Sequence, residues 1–366
     1  MTTAEIEAAD WTTREIEQQP DVWQEAFARI AAQRERLDAW LAPLLADPSL
    51  RIVLTGAGSS AYIGETLAPA LTKALGRPVE AISTTAIVAT PDAHLLADRP
   101  TLLVSFGRSG NSPESIGAVR LATQIVRDCH HLIVCCDGAS ALATYDGGGE
   151  NRAMHLIMPP AALDQSFAMT SSFTTMMVSV LAVFAWDEDQ AKTMIAAARN
   201  ILAAPATDIE KIVSRGFDRG VILGSGSLQG IATEAALKLL EMSAGERDAY
   251  AESPLGFRHG PKFVVDDTTL VVLLTHPSSY TRCYDLDLAA ELQRDDRARA
   301  VVRLDEHEAL RDVVLDAAWL APIYLIWCQR LAWHAARALG HAPDNPSPSG
   351  TLNRVVQGVT LYPFAA

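Results

Sequence analysis

Val53-Leu-Thr-Gly-Ala-Gly-Ser59 returns 168 residues later as Val221-Ile-Leu-Gly-Ser-Gly-Ser227, with Gly56 matched by Gly224 and Gly58 by Gly226. Each copy is an apolar, β-branched run stopped by a glycine turn and followed by a helical pattern, the signature of a strand feeding a helix. The same shift sets Thr101-Leu-Leu-Val104 on Thr269-Leu-Val-Val272, and Ile133-Val134 with Asp137 on Val301-Val302 with Asp305. Three strand-like runs keeping one register indicate two copies of one fold. Within each copy short β-branched runs alternate with helical ones, which builds a parallel sheet covered by helices on both faces. The expected fold is α/β: two tandem, doubly wound parallel-sheet domains of three layers.

Strands are expected near 51–55, 79–83, 101–106, 131–136 and 153–158 in the first copy, and at 220–224, 269–274 and 300–304 in the second. Residues 1–47 read as a helical segment, with Trp23, Phe27, Ile30, Leu37, Leu41 and Leu44 at near-helical spacing. The first domain is placed at 48–202 and the second at 208–340, joined by the linker Ala203-Ala-Pro-Ala-Thr207. Residues 341–366 are expected to form an extended tail, because Ala342-Pro-Asp-Asn-Pro-Ser-Pro-Ser-Gly350 cannot be helical.

With 366 residues, 49% of them hydrophobic, the chain can bury two domain cores. A net charge of −14 with no Lys/Arg run to offset it argues against nucleic acid as a partner. The strongest apolar run, Met176 to Trp186, is short of the roughly 20 residues a bilayer span takes and reads as a buried helix, so no membrane partner is expected. Cys129, Cys135, Cys136, Cys283 and Cys328 make an odd count without a Cys-x-x-Cys, which reads as reduced core thiols in a cytoplasmic protein. The acidic start Met-Thr-Thr-Ala-Glu-Ile-Glu carries no signal peptide, and no His-Glu-x-x-His supports a metal site.

Two loops of the first copy concentrate polar chemistry: Thr55-Gly-Ala-Gly-Ser-Ser60 and Ser105-Phe-Gly-Arg-Ser-Gly-Asn-Ser-Pro-Glu114. The first turn of a helix leaves backbone N–H groups unpaired at the positive end of its dipole, a ready cradle for phosphate. Ser59, Ser60, Ser109, Asn111 and Ser112 add donors, Gly110 adds backbone freedom, Pro113 suits the first helical position, and Arg108 brings a fixed charge. Under the 168 shift Arg108-Ser109-Gly110-Asn111 falls on His276-Pro277-Ser278-Ser279, which lacks the arginine and the glycine, so only the first copy is expected to hold phosphate. A dinucleotide site built on Gly56-Ala-Gly58 and Glu80 would lack the third glycine near Ala61 and leave the second loop without a role.

The second copy supplies other chemistry. In Ile231-Ala-Thr-Glu-Ala-Ala-Leu-Lys-Leu-Leu-Glu241 the spacing puts Glu234, Lys238 and Glu241 on one helix face, either as a solvated charged face or as a carboxylate that takes and returns a proton. Further on, Glu252-Ser-Pro-Leu-Gly-Phe-Arg-His-Gly-Pro261 sets His259 between arginine and glycine in a loop, poorly placed for core packing.

These residues resemble the sugar isomerase (SIS) domain proteins over nearly the whole chain. Glu234 to Glu241 followed by His259-Gly260-Pro261 is similar to the isomerase half of glucosamine-6-phosphate synthase. The resemblance implies that Glu241 moves a proton between sugar C1 and C2. It implies that His259, acting in a neighbouring subunit's site, opens the ring, and that Lys238 sits in the same site with Glu234 as its partner. It further implies that Ser59, Ser60, Arg108, Ser109 and Ser112 bind the sugar phosphate and that Phe167 and Ala168 line the sugar. No glutaminase domain is expected ahead of the start Met-Thr-Thr, and the resemblance places Gln357 where the synthase carries its Schiff-base lysine. The second loop and the ending Asn353-Arg-Val-Val-Gln-Gly-Val-Thr360 resemble the group of tagatose-6-phosphate ketose/aldose isomerases and galactosamine-6-phosphate deaminases. That implies a homo-oligomeric enzyme of amino-sugar catabolism without metal or organic cofactor. A sugar-phosphate sensor is the competing class; retention of Glu241 and His259 argues against it.

Overall fold

The computed structural model describes residues 10–350, 352–356 and 358–365. In chain order the helices α1 (Trp11–Glu17), α2 (Gln19–Ala32) and α3 (Arg34–Ala46) lead into β1 (Arg51–Thr55), α4 (Ser59–Leu75), β2 (Val79–Ala81), α5 (Thr84–Ala89), α6 (Pro91–His94) and β3 (Thr101–Gly107). Next come α7 (Pro113–Ile125), β4 (Cys129–Cys135), β5 (Ala153–Ile157), α8 (Ser171–Phe184), α9 (Glu188–Ala203) and α10 (Thr207–Arg215). The remainder is β6 (Arg219–Gly224), α11 (Ser227–Met242), β7 (Asp248–Glu252), α12 (Pro254–Phe257), β8 (Thr269–Leu274), α13 (Ser279–Asp295), β9 (Ala300–Arg303) and α14 (Ala317–Ala338).

The chain forms two compact units. One holds Asp21–Asp164, Ser171–Trp186 and the residues from Gly350 on. Its sheet is wholly parallel, in the order β2-β1-β3-β4-β5. Every residue of β3 is buried, as an apolar run covered on both faces demands. Val53, Leu103 and Ile133 pack with Ala118, Val119 and Ala122 of α7 on one face. Helix α4 packs against α8, whose residues from Ser171 to Val183 are all buried.

The other unit holds the residues up to Pro20, Gln165–Thr170 and Asp187–Ser349. Helices α9 and α10, either side of Ala204-Pro205-Ala206, thus both belong with the second sheet. Its parallel sheet runs β7-β6-β8-β9, the first four positions of the other sheet. Arg51 faces Thr101 and Arg219 faces Thr269, so the 168 shift holds strand against strand. The two glycine turns coincide as well: φ is 55° at Gly58 and 58° at Gly226, a left-handed backbone that side-chain-bearing residues avoid.

Two expectations need correcting. The shift breaks at the fourth strand: Val301 stands opposite Val271 where His131 stands opposite Leu103, so its counterpart is His131, two residues before Ile133. The preceding helix is 17 residues in the second copy and 13 in the first, which displaces the strand. Cys283, expected in the core, is exposed, whereas the other four thiols are buried. Strand β7 was not among the expected strands; Asp248-Ala-Tyr-Ala-Glu252 has no β-branched residue and is half-buried at the sheet edge.

Candidate functional site

At the carboxyl edge of the first sheet Thr55 of β1 stands beside Ser105 of β3, and β2 lies on the opposite side of β1. The strand order reverses here, and in open α/β sheets ligands bind outside such a switch point. Both polar loops leave from it. Ser59 and Ser60 are buried at the start of the 17-residue α4. Arg108 is buried, its Nη2 donating to the carbonyl of Arg354 at 3.0 Å. Ser109 Oγ accepts from the Asn111 N–H at 3.3 Å, and exposed Asn111 accepts from the Ala141 N–H through Oδ1 at 2.9 Å. Ser112 caps α7, donating from Oγ to Ser115 Oγ at 2.7 Å. Gly110 has φ 61°, and a Cβ there would come 2.8 Å from Ser140 Cβ, so the loop closes only over a glycine. Ser140 is thus part of the loop's foundation, a role its sequence context does not announce.

In the second unit Glu234 and Lys238 on α11 are completely buried, while a quarter of the Glu241 side chain is exposed. Lys238 Nζ lies 3.3 Å from Glu234 Oε1 and hydrogen-bonds Glu241 Oε2. Burial works against the charge on Lys238, but the two carboxylates outweigh it and hold the ammonium above the ordinary lysine range. The face is therefore an ion-paired interior row that ends at solvent in Glu241, not a solvated stripe. His259 is exposed in the turn after α12, its loop pinned to α13 by Arg258 on Glu291 at 2.9 Å and by Lys262 on Glu291 and Asp295. No hydrogen bond or ion pair among the described residues joins His259 to Glu241.

Phe167 and Ala168 belong to the same unit as α11. Their segment is fixed by Glu15, whose buried carboxylate accepts from Gln165 N–H, Ser166 N–H and Ser166 Oγ, and by the Phe167 N–H donating to the Asp344 carbonyl at 3.0 Å. Glu15 lies 150 residues from its partners, so no local pattern marks it. Gln357 lies outside the described residues. Among the described residues no group of three or more His, Cys, Asp or Glu could hold a metal ion, and no helix is long and apolar enough to cross a membrane.

Two parallel sheets in tandem, each with its switch point, the first edged by two polar loops and the second by a buried charge row, define a doubled α/β protein of the SIS type. The SIS domain family matches residues 44–185. The chain is 46% identical over 359 residues to the D-galactosamine-6-phosphate deaminase AgaS of Shewanella sp. (strain ANA-3), covering 97% of this chain and 92% of that one. It is 44% identical to the protein of the same name from Escherichia coli, covering 100% and 99%. The crystal structure of tagatose-6-phosphate ketose/aldose isomerase from Escherichia coli superposes with a TM-score of 0.89 at 40% identity, covering 98% of this chain and 99% of that one. The chain belongs to the SIS-domain family of sugar-phosphate isomerases and deaminases.

Proposed function

We propose that the chain deaminates galactosamine 6-phosphate to tagatose 6-phosphate and ammonia. The cradle of Ser59, Ser60, Arg108, Ser109, Asn111 and Ser112 takes the phosphate, with backbone N–H groups at a helix start and a guanidinium as donors. His259 assists ring opening, from a neighbouring subunit of a cytoplasmic homodimer or larger assembly. Glu241 then removes the C2 proton of the open aldehyde while O1 takes up a proton from solvent, giving an enolamine, and returns the proton at C1 as the amine nitrogen gives one up. The resulting C2 imine takes up water and releases ammonia. Lys238 orients Glu241, and Phe167, Ala168 and Gln357 line the sugar.

The observation that carries this reading is the position of Glu241 at the solvent end of the buried row, a carboxylate held by an ammonium yet open to a ligand. A proton shuttle needs that combination. Deamination is preferred to plain isomerisation because the relatives of 44 and 46% identity are named deaminases. Ketose/aldose isomerisation of tagatose 6-phosphate is the second reading, favoured by the name of the superposing Escherichia coli structure, and it uses the same shuttle.

The test is ammonia release from galactosamine 6-phosphate and from glucosamine 6-phosphate, run beside deuterium uptake at C1 of tagatose 6-phosphate in heavy water. Ammonia from the galacto substrate alone is the expected result. Exchange without ammonia would leave the isomerase, ammonia from the gluco substrate alone would move the stereochemistry, and neither signal would overturn the enzyme.

A further inference from the structure

The second sheet has its own switch point, and there the crevice is filled from inside. The strand order reverses at β6 as it does at β1, with Ser225-Gly226 leaving β6 and Thr275-His276 leaving β8. Asp285 of α13, 1% exposed, accepts from the His276 backbone N–H at 2.8 Å and from Ser225 Oγ at 3.3 Å. Under the 168 shift His276 is the counterpart of Arg108 and Ser225 that of Ala57, so these donors belong to the same two loops that build the first cradle. The His276 imidazole leans over the glycine turn: a Cβ on Gly226 would lie 3.9 Å from Nε2. The nearby cations are engaged elsewhere, Arg282 and Arg303 both pairing with Asp305. By the same shift Asp285 falls on Gly117, a position without a carboxylate.

A buried carboxylate bound by the His276 N–H and by the hydroxyl of Ser225, two residues before the 16-residue α11, draws on donors of the kind an oxyanion uses. We propose that Asp285 is a resident anion that closes the second cradle and keeps phosphate out of it. The inference rests on the reading of the first cradle as the phosphate site.

Removing the carboxylate should open a second oxyanion site. Calorimetric titration with inorganic phosphate is expected to give one equivalent per chain for the native protein and two for Asp285→Ser. In an Arg108→Ala, Ser109→Ala background the native Asp285 chain should bind none and Asp285→Ser should bind one. A folded Asp285→Ser chain, with the native circular dichroism spectrum, that binds no more phosphate than its parent overturns the proposal. If serine prevents folding, Asp285→Ala vacates the same volume with a residue that favours the helix. Phosphate must then raise its Tm in the Arg108→Ala, Ser109→Ala background, and the absence of a shift overturns the proposal equally. Failure of the first-cradle reading is seen separately, as phosphate still bound by the Arg108→Ala, Ser109→Ala chain, and leaves the increment from Asp285→Ser intact.

Discussion

Lys238 Nζ lies 3.3 Å from Glu234 Oε1 with both side chains fully buried, and a third charge, Glu241, closes the row at the surface. Helix α14, apolar along most of its length, packs on α11 in the same unit. Two charges taken out of water are held by each other, so removing one is more damaging than removing both.

Glu234→Ala should therefore lower the unfolding free energy by about 3–5 kcal/mol, with Glu241 as the remaining partner keeping the loss toward the lower figure. The double variant Glu234→Leu, Lys238→Met should recover most of that in urea unfolding, since apolar replacement of a buried pair is often neutral. A double variant no more stable than the single one would show that the pair contributes net stability.

Because the ammonium of Lys238 is held above its ordinary range, the folded state binds that proton more tightly than the unfolded chain does. The resulting stability is fully present below the unfolded lysine value of about 10.4 and is lost as pH rises through the higher folded value. Unfolding followed from pH 9 upward should show a falling slope beginning at about pH 10, and Glu234→Leu, Lys238→Met should flatten it.

Thiol chemistry separates surface from core. Burial pushes Cys129 and Cys328 up to about 12 and Cys135 up to about 11, and these thiols and Cys136 are all inaccessible. A disulfide reagent at pH 8 should titrate Cys283 alone in the native protein and all five thiols in denaturant. More than one fast thiol in the native state would contradict the packing of β4 and α14.

Gly110→Ala forces a side chain onto a backbone with φ 61° and sets its Cβ 2.8 Å from Ser140 Cβ. The expected cost is about 1–2 kcal/mol of stability from the left-handed conformation alone. Displacing the Arg108 loop should also raise KM for the phosphosugar more than it lowers kcat. Steady-state kinetics with unchanged KM would mean that the loop geometry does not set phosphate affinity.

The first sheet was legible because its central strands are buried on both faces and read as apolar runs, as in Arg51–Thr55 and Thr101–Gly107. Strand β7 was not, since an edge strand of Asp248-Ala-Tyr-Ala-Glu252 has no such run. Shifting β2 by 168 residues would nonetheless have placed it at 247–249. The spacing of Glu234, Lys238 and Glu241 disclosed a shared face but not its burial, because spacing along one helix does not say what packs over it. Asp285 gave no signal at all: its partners, Ser225 and His276, come from two other loops and meet only in the folded sheet.

The two halves of the proposed chemistry can be separated by kinetics. Glu241→Gln keeps the shape of α11 and removes the base, so turnover should vanish while phosphosugar affinity stays within a few-fold. Arg108→Ala with Ser109→Ala removes donors to the phosphate and leaves the carboxylate row intact, so KM should rise with a smaller fall in kcat. Each charge-assisted hydrogen bond lost is worth about 1.5–3 kcal/mol, which puts the loss in kcat/KM at tenfold or more. Binding measured by calorimetry on Glu241→Gln supplies the affinity that kinetics cannot. If Glu241→Gln loses affinity as completely as activity, Glu241 is a binding group and the proton shuttle must be sought on another side chain. If instead the loop variant leaves KM unchanged, the phosphate is held away from β1 and β3.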